Sequence, residues 1–121
     1  MQGMKSPCLS SAKYEAEQEG RRKDSNEFYS SLSWRKLRAA VKARADGCDE
    51  WELARTGRIV PGNLVHHILP VNERPDLRLS LHNLIYVTQE NHDRIHTIYR
   101  RGKHEKEMLM RELLTIVTKN K

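Results

Sequence analysis

Five of the six histidines fall between residues 64 and 96, and their spacing is suited to metal chemistry. His66 and His67 are adjacent, His82 precedes Asn83, and His92 and His96 stand four residues apart. Residues at i and i+4 of a helix lie on one face, one turn apart, so His92 and His96 can share a divalent cation. Such a pair is a weak signal alone. It gains weight from the adjacent pair upstream, in a segment that reads as a strand. Neighbours on a strand point to opposite faces. One of His66 and His67 can therefore join the ion. The other reaches a different part of the same cleft as a general base, a role for an imidazole titrating near neutral pH. A cation there would stabilise charge on a phosphate and on the departing oxygen, and three imidazole ligands leave positions open for substrate oxygens and water. Asn83 donates and accepts, so it can tie the loop before it to the first strand and fix where His67 points.

The surrounding pattern predicts the elements that must hold these groups. Residues 64–69 read as a strand ended by Pro70, and residues 84–87 as a second. The loop between them carries alternating Leu77, Leu79 and Leu81, which should pin its second half to the core. Thr88 can cap a helix that sets Ile95, Ile98 and Tyr99 on an apolar side and His92 with His96. Upstream, Ser33 is placed to cap a helix from Trp34 to about Ala45, with Trp34, Leu37 and Val41 facing the core. Its Arg35, Lys36, Arg38, Lys42 and Arg44 read mostly as a solvated face, and Gly47 should end it. Residues 48–52 look irregular, and residues 53–57 read as one helical turn. After Gly102 an amphipathic helix is expected over about residues 105–119, and residues 1–25 read as a polar N-terminal arm.

A length of 121 residues suits one small domain, and a net charge of +6 with a pI near 9.5 favours a polyanionic partner such as nucleic acid. Cys8 and Cys48 have no useful spacing, so a disulfide scaffold is not expected. No apolar run is long enough to span a bilayer, the N-terminus lacks the apolar core of a signal peptide, and the expected location is cytoplasmic.

The order strand, His-His, loop, Asn, strand, helix, His-x3-His resembles the HNH (ββα-metal) endonuclease family, in its small bacteriophage and prophage form. Phe28-Tyr29, the run Ser33 to Arg38, the approach Thr56 to Pro61 and the segment Val65 to Pro70 agree, and the resemblance covers about residues 28–98. It implies an α+β fold: a ββα-metal (His-Me finger) core at residues 64–99 with flanking N- and C-terminal helices, all within one nuclease domain over residues 26–121. By position it implies His66, His92 and His96 as ligands, His67 as general base, and Asn83 as the residue holding loop and base. The implied activity is hydrolysis of DNA phosphodiester bonds by histidine-activated water, nicking or cutting with low sequence specificity in phage DNA processing or packaging. One divalent ion is implied, with Mg²⁺, Mn²⁺, Ni²⁺ and Zn²⁺ serving different members. Implied partners are double-stranded DNA and phage terminase or packaging proteins, with the chain a monomer or homodimer in the host cytoplasm.

The alternative from another class is a non-catalytic DNA-binding or packaging accessory module whose metal is structural. A toxin-type nuclease with an immunity partner is a third reading. Many phage relatives hold a structural zinc with two Cys-x-x-Cys pairs, which would fall at Cys48 and Trp51 and near Thr88 and Asn91. Only Cys48 is a thiol, so no structural zinc is expected, with Trp51 an apolar plug and apolar packing holding strands and helix in register. Arg94, lying between the two helix ligands, is the favoured DNA contact. Arg74 and Arg78, and then Arg100, Arg101 and Lys103, are further candidates. His82 and His104 are expected to be bystanders.

Overall fold

In the computed structural model, which describes residues 27–120, a two-stranded hairpin is buried on both faces. Its strands, β1 (Leu64–His67) and β2 (Leu84–Val87), pair antiparallel with Val65 opposite Tyr86 and His67 opposite Leu84. Side chains alternate across the pleat. Val65, Leu84 and Tyr86 pack with Trp34, Val41 and Ala45 of the N-terminal helix α1 (Leu32–Arg44) and its C-cap. Ile85 and Val87, joined by Ile68 just past β1, pack on the other face with Ile95 and Tyr99 of α3 (Gln89–Tyr99) and Leu109, Leu113 and Val117 of α4 (Lys103–Lys119). A short helix, α2 (Glu50–Thr56), adds Trp51 to that second cluster. The fold is α+β, with helices flanking a ββα core. No helix among the described residues is long and apolar enough to cross a membrane. The expected arm at residues 1–25 lies outside the described residues.

Local chemistry explains the elements and where they depart from expectation. The cap of α1 is Ser31 rather than Ser33: its Oγ accepts from Trp34 N–H at 3.1 Å, and its extended ψ of 155° lets the chain enter the helix. The stretch expected to be irregular after Cys48 is already helical from Glu50. Asp49 caps it by accepting from Glu52 N–H at 2.7 Å, and Gly57 ends it at φ 79°. The Asp49-x-x-Glu52 spacing was the readable signal. Thr88 caps α3 as expected, accepting from Asn91 N–H at 3.0 Å.

β1 ends at His67, two residues before Leu69, because Asn83 takes over the pairing there. The loop is pinned less regularly than alternation suggested. It contains two 3-10 turns, Pro75–Leu77 and Leu81–Asn83, and Leu79 stays exposed. Gly62 is required by close approach, since a Cβ there would sit 2.7 Å from the Tyr86 ring.

Apolar packing does not act alone in holding the hairpin. Arg44, on the inner side of α1, makes a buried bidentate pair with Glu50 through Nε at 2.9 Å and Nη2 at 2.8 Å. The same guanidinium donates to the carbonyls of Leu81 and Leu84, and Glu50 also accepts from Tyr86 N–H at 2.9 Å. Asp49 Oδ2 accepts from Thr88 N–H at 2.7 Å and Asn91 Nδ2 at 2.8 Å. A polar network thus ties α1, α2, β2 and α3 where apolar contacts alone were expected.

Candidate functional site

Because β1 is a regular strand, His66 and His67 leave it in opposite directions. His66 points toward α3, where its ring centroid lies 5.4 Å from that of His92 and 5.3 Å from that of His96. One potential ligand nitrogen from each of the three falls within 4.8 Å of the others. His66 and His92 are buried, while His96 is half-buried and opens the cluster to solvent.

The donor chemistry fits a cation. Among the described residues no acidic group belongs to the cluster, and His92 Nδ1 is buried with no hydrogen-bond partner, the Asp93 carboxylate staying 3.8 Å away. The Nε2 atoms of His92 and His96 approach to 3.2 Å, close to the ~3.3 Å expected for two imidazole ligands of one tetrahedral ion at ordinary metal–nitrogen lengths. Burial, reinforced by the neighbouring imidazoles His92, His96 and His67, pushes His66 well below its usual pKa. Burial and then His96 bring His92 down to about 4, against a smaller opposing effect from Asp93. These rings are neutral at pH 7, with lone pairs to give a metal.

His67 occupies a different environment. Its ring stacks on the Trp34 indole at 5.3 Å with a 16° interplanar angle, and Tyr29 meets it edge-on at 6.2 Å. Its Nε2 sits 3.0 Å from the carbonyl oxygen of Arg78. Burial lowers its pKa to about 4, further from neutrality than the sequence suggested, with the Arg78 carbonyl opposing the shift. Asn83 braces the loop that supplies this carbonyl. Its Oδ1 accepts from Leu69 N–H at 2.9 Å, and its Nδ2 donates to the carbonyls of Leu69 at 3.1 Å and Leu77 at 3.4 Å.

No family model and no curated protein matches the sequence. Among solved structures, the chain is similar to the HNH endonuclease of the deep-sea thermophilic bacteriophage GVE2, determined with a manganese ion. The two share 28% identity and superpose with a TM-score of 0.63, over 72% of this chain and 94% of that one. The fold and the likeness are those of the HNH (ββα-metal) endonuclease family.

Within this HNH fold the three arginines singled out as DNA contacts all have partners. Arg74 is paired with Asp76 through two hydrogen bonds, of 3.0 and 2.8 Å. Arg78 lays its guanidinium over the Phe28 ring at 4.9 Å. Arg94 lies two residues from each ligand, but a helix turns it about 200° from His92. There it bonds Asn91 at 3.0 Å and Glu90 at 3.2 Å. His82 and His104 are exposed and outside the histidine cluster.

The positions where HNH relatives would carry zinc ligands are otherwise engaged. Trp51 is buried, and its Nε1 donates to Glu112 at 2.9 Å. Thr88 N–H and the Asn91 amide converge on Asp49, and Cys48 is a free thiol.

By periodicity alone Tyr99 belongs to the apolar side of α3. Its hydroxyl donates to the Ile68 carbonyl at 2.7 Å and lies 3.5 Å from His66 Nε2. The signal was there, because a phenol one turn beyond His96 shares the face of the histidines.

Proposed function

We propose that this HNH protein is a metal-dependent DNA endonuclease that hydrolyses phosphodiester bonds. The observation that carries the reading is the division between adjacent strand residues. His66 joins His92 and His96 at a cation-ready cluster, while His67 stands on the opposite face, held by the Arg78 carbonyl. A structural metal site would have no use for that second oriented imidazole.

His66, His92 and His96 would hold the ion. Three imidazoles favour a transition metal such as Mn²⁺, Ni²⁺ or Zn²⁺ over Mg²⁺. A divalent cation there supplies charge stabilisation to phosphate oxygens. The Arg78 carbonyl can only accept, so His67 Nε2 carries the proton and Nδ1 keeps the lone pair. Nδ1 is then the atom that takes a proton from the attacking water. The low pKa keeps His67 unprotonated at neutral pH, and a phosphodiester anion beside it would raise its basicity. Asn83 acts one step back, fixing the loop that presents the Arg78 carbonyl. The likeness to a phage enzyme supports a role in phage DNA processing.

Supercoiled plasmid incubated with the protein and Mn²⁺, Mg²⁺, Ni²⁺ or Zn²⁺ tests the proposal. Nicked or linear product is expected with at least one ion. His67→Ala should lower the rate by about 10²-fold or more while metal analysis still finds one ion per chain. His92→Ala should lose both metal and cleavage. Intact plasmid under every ion, for wild type and His67→Ala alike, would leave the accessory-module reading in place of the enzyme.

A further inference from the structure

Of the five basic residues of α1, one turns inward and four stay on the outside, three of them in line and Lys36 to one side. Arg44 turns inward and is consumed by Glu50 and by the Leu81 and Leu84 carbonyls. Arg35, Arg38 and Lys42 fall at i, i+3 and i+7, a spacing that aligns them in one stripe beside the buried Trp34–Val41 face. None of the three has an ion pair or a side-chain hydrogen bond among the described residues, and α1 contains no acidic residue. Arg38 Nε is moreover buried without a partner, an unsatisfied donor within the stripe.

Several cations elsewhere are paired: Arg55 and Arg58 share Glu52, Arg74 holds Asp76, Arg94 holds Glu90, and Lys106 pairs with Glu73. Arg111 and Lys119, exposed and without an ion pair among the described residues, lie on a helix that also carries acidic residues, unlike α1. The stripe also begins beside the site. Arg35 follows Trp34, whose indole stacks on the His67 ring. Ala39 and Ala43 adjoin the stripe on the exposed side and leave room for a large partner to come close.

We infer that the Arg35–Arg38–Lys42 stripe of α1 is a track for the phosphate backbone of a DNA duplex flanking the bond at His67. The inference rests on the nuclease reading for its substrate. It differs from that reading in assigning affinity to a helix outside the ββα core. The occupant is a polyanion with regularly repeated charges, because the stripe presents three cations over about 10 Å of helix and offers no acceptor. A protein partner would need paired acids at that spacing, whereas a nucleic-acid backbone supplies them at every sequence.

Fluorescence anisotropy with a labelled 20-base-pair duplex, in EDTA so that cleavage is silent, tests the track. The full chain carrying Arg35→Gln, Arg38→Gln and Lys42→Gln should bind at least about tenfold more weakly. Its slope of log affinity against log salt should be shallower by about 2 to 3. Because Arg38 is half-buried, the double variant Arg35→Gln with Lys42→Gln provides a folded comparison, expected to show about two-thirds of the slope change. A control with Arg111→Gln and Lys119→Gln removes the same charge as that double variant from exposed positions on α4 and should change affinity less than about threefold. Equal weakening by the two double variants would reduce the track to net charge and overturn it, as would wild-type binding by the α1 variants. Tight, α1-dependent binding by a protein that never nicks plasmid would sink the nuclease reading and leave the track standing.

Discussion

Two buried polar regions sit beside the hairpin and are built on opposite terms. Around Asp49, Glu50 and Glu52 every buried carboxylate has donors: Arg44, Tyr86 N–H and Asn120 for Glu50, Thr88 N–H and Asn91 for Asp49, and Asn91 with Arg55 and Arg58 for Glu52. The Asn91 amide in particular holds Glu52 below the usual carboxylate range. Around His66, His92 and His96 the imidazoles face one another with no acid in the cluster among the described residues, and the Nε2 atoms of His92 and His96 stand 3.2 Å apart. Buried polar groups are normally satisfied. The first region is satisfied within the chain and acts as a staple beside the expected apolar packing. The second brings three imidazole nitrogens within 4.8 Å of one another, an arrangement suited to a cation. The contrast separates what holds this protein together from what it works with.

Breaking the first region should cost the most. Glu50→Ala leaves the Arg44 guanidinium buried with its ion partner gone, and stability should fall by roughly 3–5 kcal/mol. Urea unfolding of the wild type and variant measures this. A loss below ~1 kcal/mol would mean that the network decorates an apolar core rather than stapling it.

The histidine region should show itself through pH. The folded-state pKa values of His67 and His92 lie near 4, below the ordinary value of 6.5. Below pH 6.5 the unfolded chain takes up protons that the folded chain refuses. Stability is therefore full above that pH and drains as pH falls toward 4, by roughly 3 kcal/mol per histidine once pH is below both values. Metal-free protein should have a clearly lower urea midpoint at pH 4.5 than at pH 7.5. Added Mn²⁺ or Zn²⁺ should raise the midpoint at pH 7.5 in the wild type but not in His92→Ala. Equal metal-free midpoints at the two pH values would remove neutral buried histidines from the account.

A smaller effect sharpens the boundary between the regions. The Tyr99 hydroxyl donates to the Ile68 carbonyl and lies near His66, so it is a positioning residue for the cluster. Tyr99→Phe keeps the ring in the core and should weaken metal affinity by about tenfold, within the range for lost ligand-orienting partners. Isothermal titration with Zn²⁺ reads this directly. Unchanged metal affinity accompanied by lower stability would assign Tyr99 to the core alone.

Much of the site's layout was legible because it follows from local periodicity. Two adjacent histidines on a strand must diverge, two at i and i+4 on a helix must align, and an asparagine before β2 is placed to bond the loop. The end of α1 near Gly47, the cap at Thr88 and the β2 boundaries rest on the same short-range rules. Partners distant in sequence were not legible. Glu50 finds Tyr86 and Asn120, and Asp49 finds Asn91, across separations of 36, 70 and 42 residues. No local rule distinguishes Arg44, which is buried in a salt bridge, from Arg35, Arg38 and Lys42, which share its helix and have no ion pair among the described residues. The sequence by itself determined which residues could do metal chemistry and the order of elements that carries them. Only the tertiary structure decided which charges are used up inside and which nitrogens remain unsatisfied, because hydrogen bonds and desolvation depend on what packs against each group.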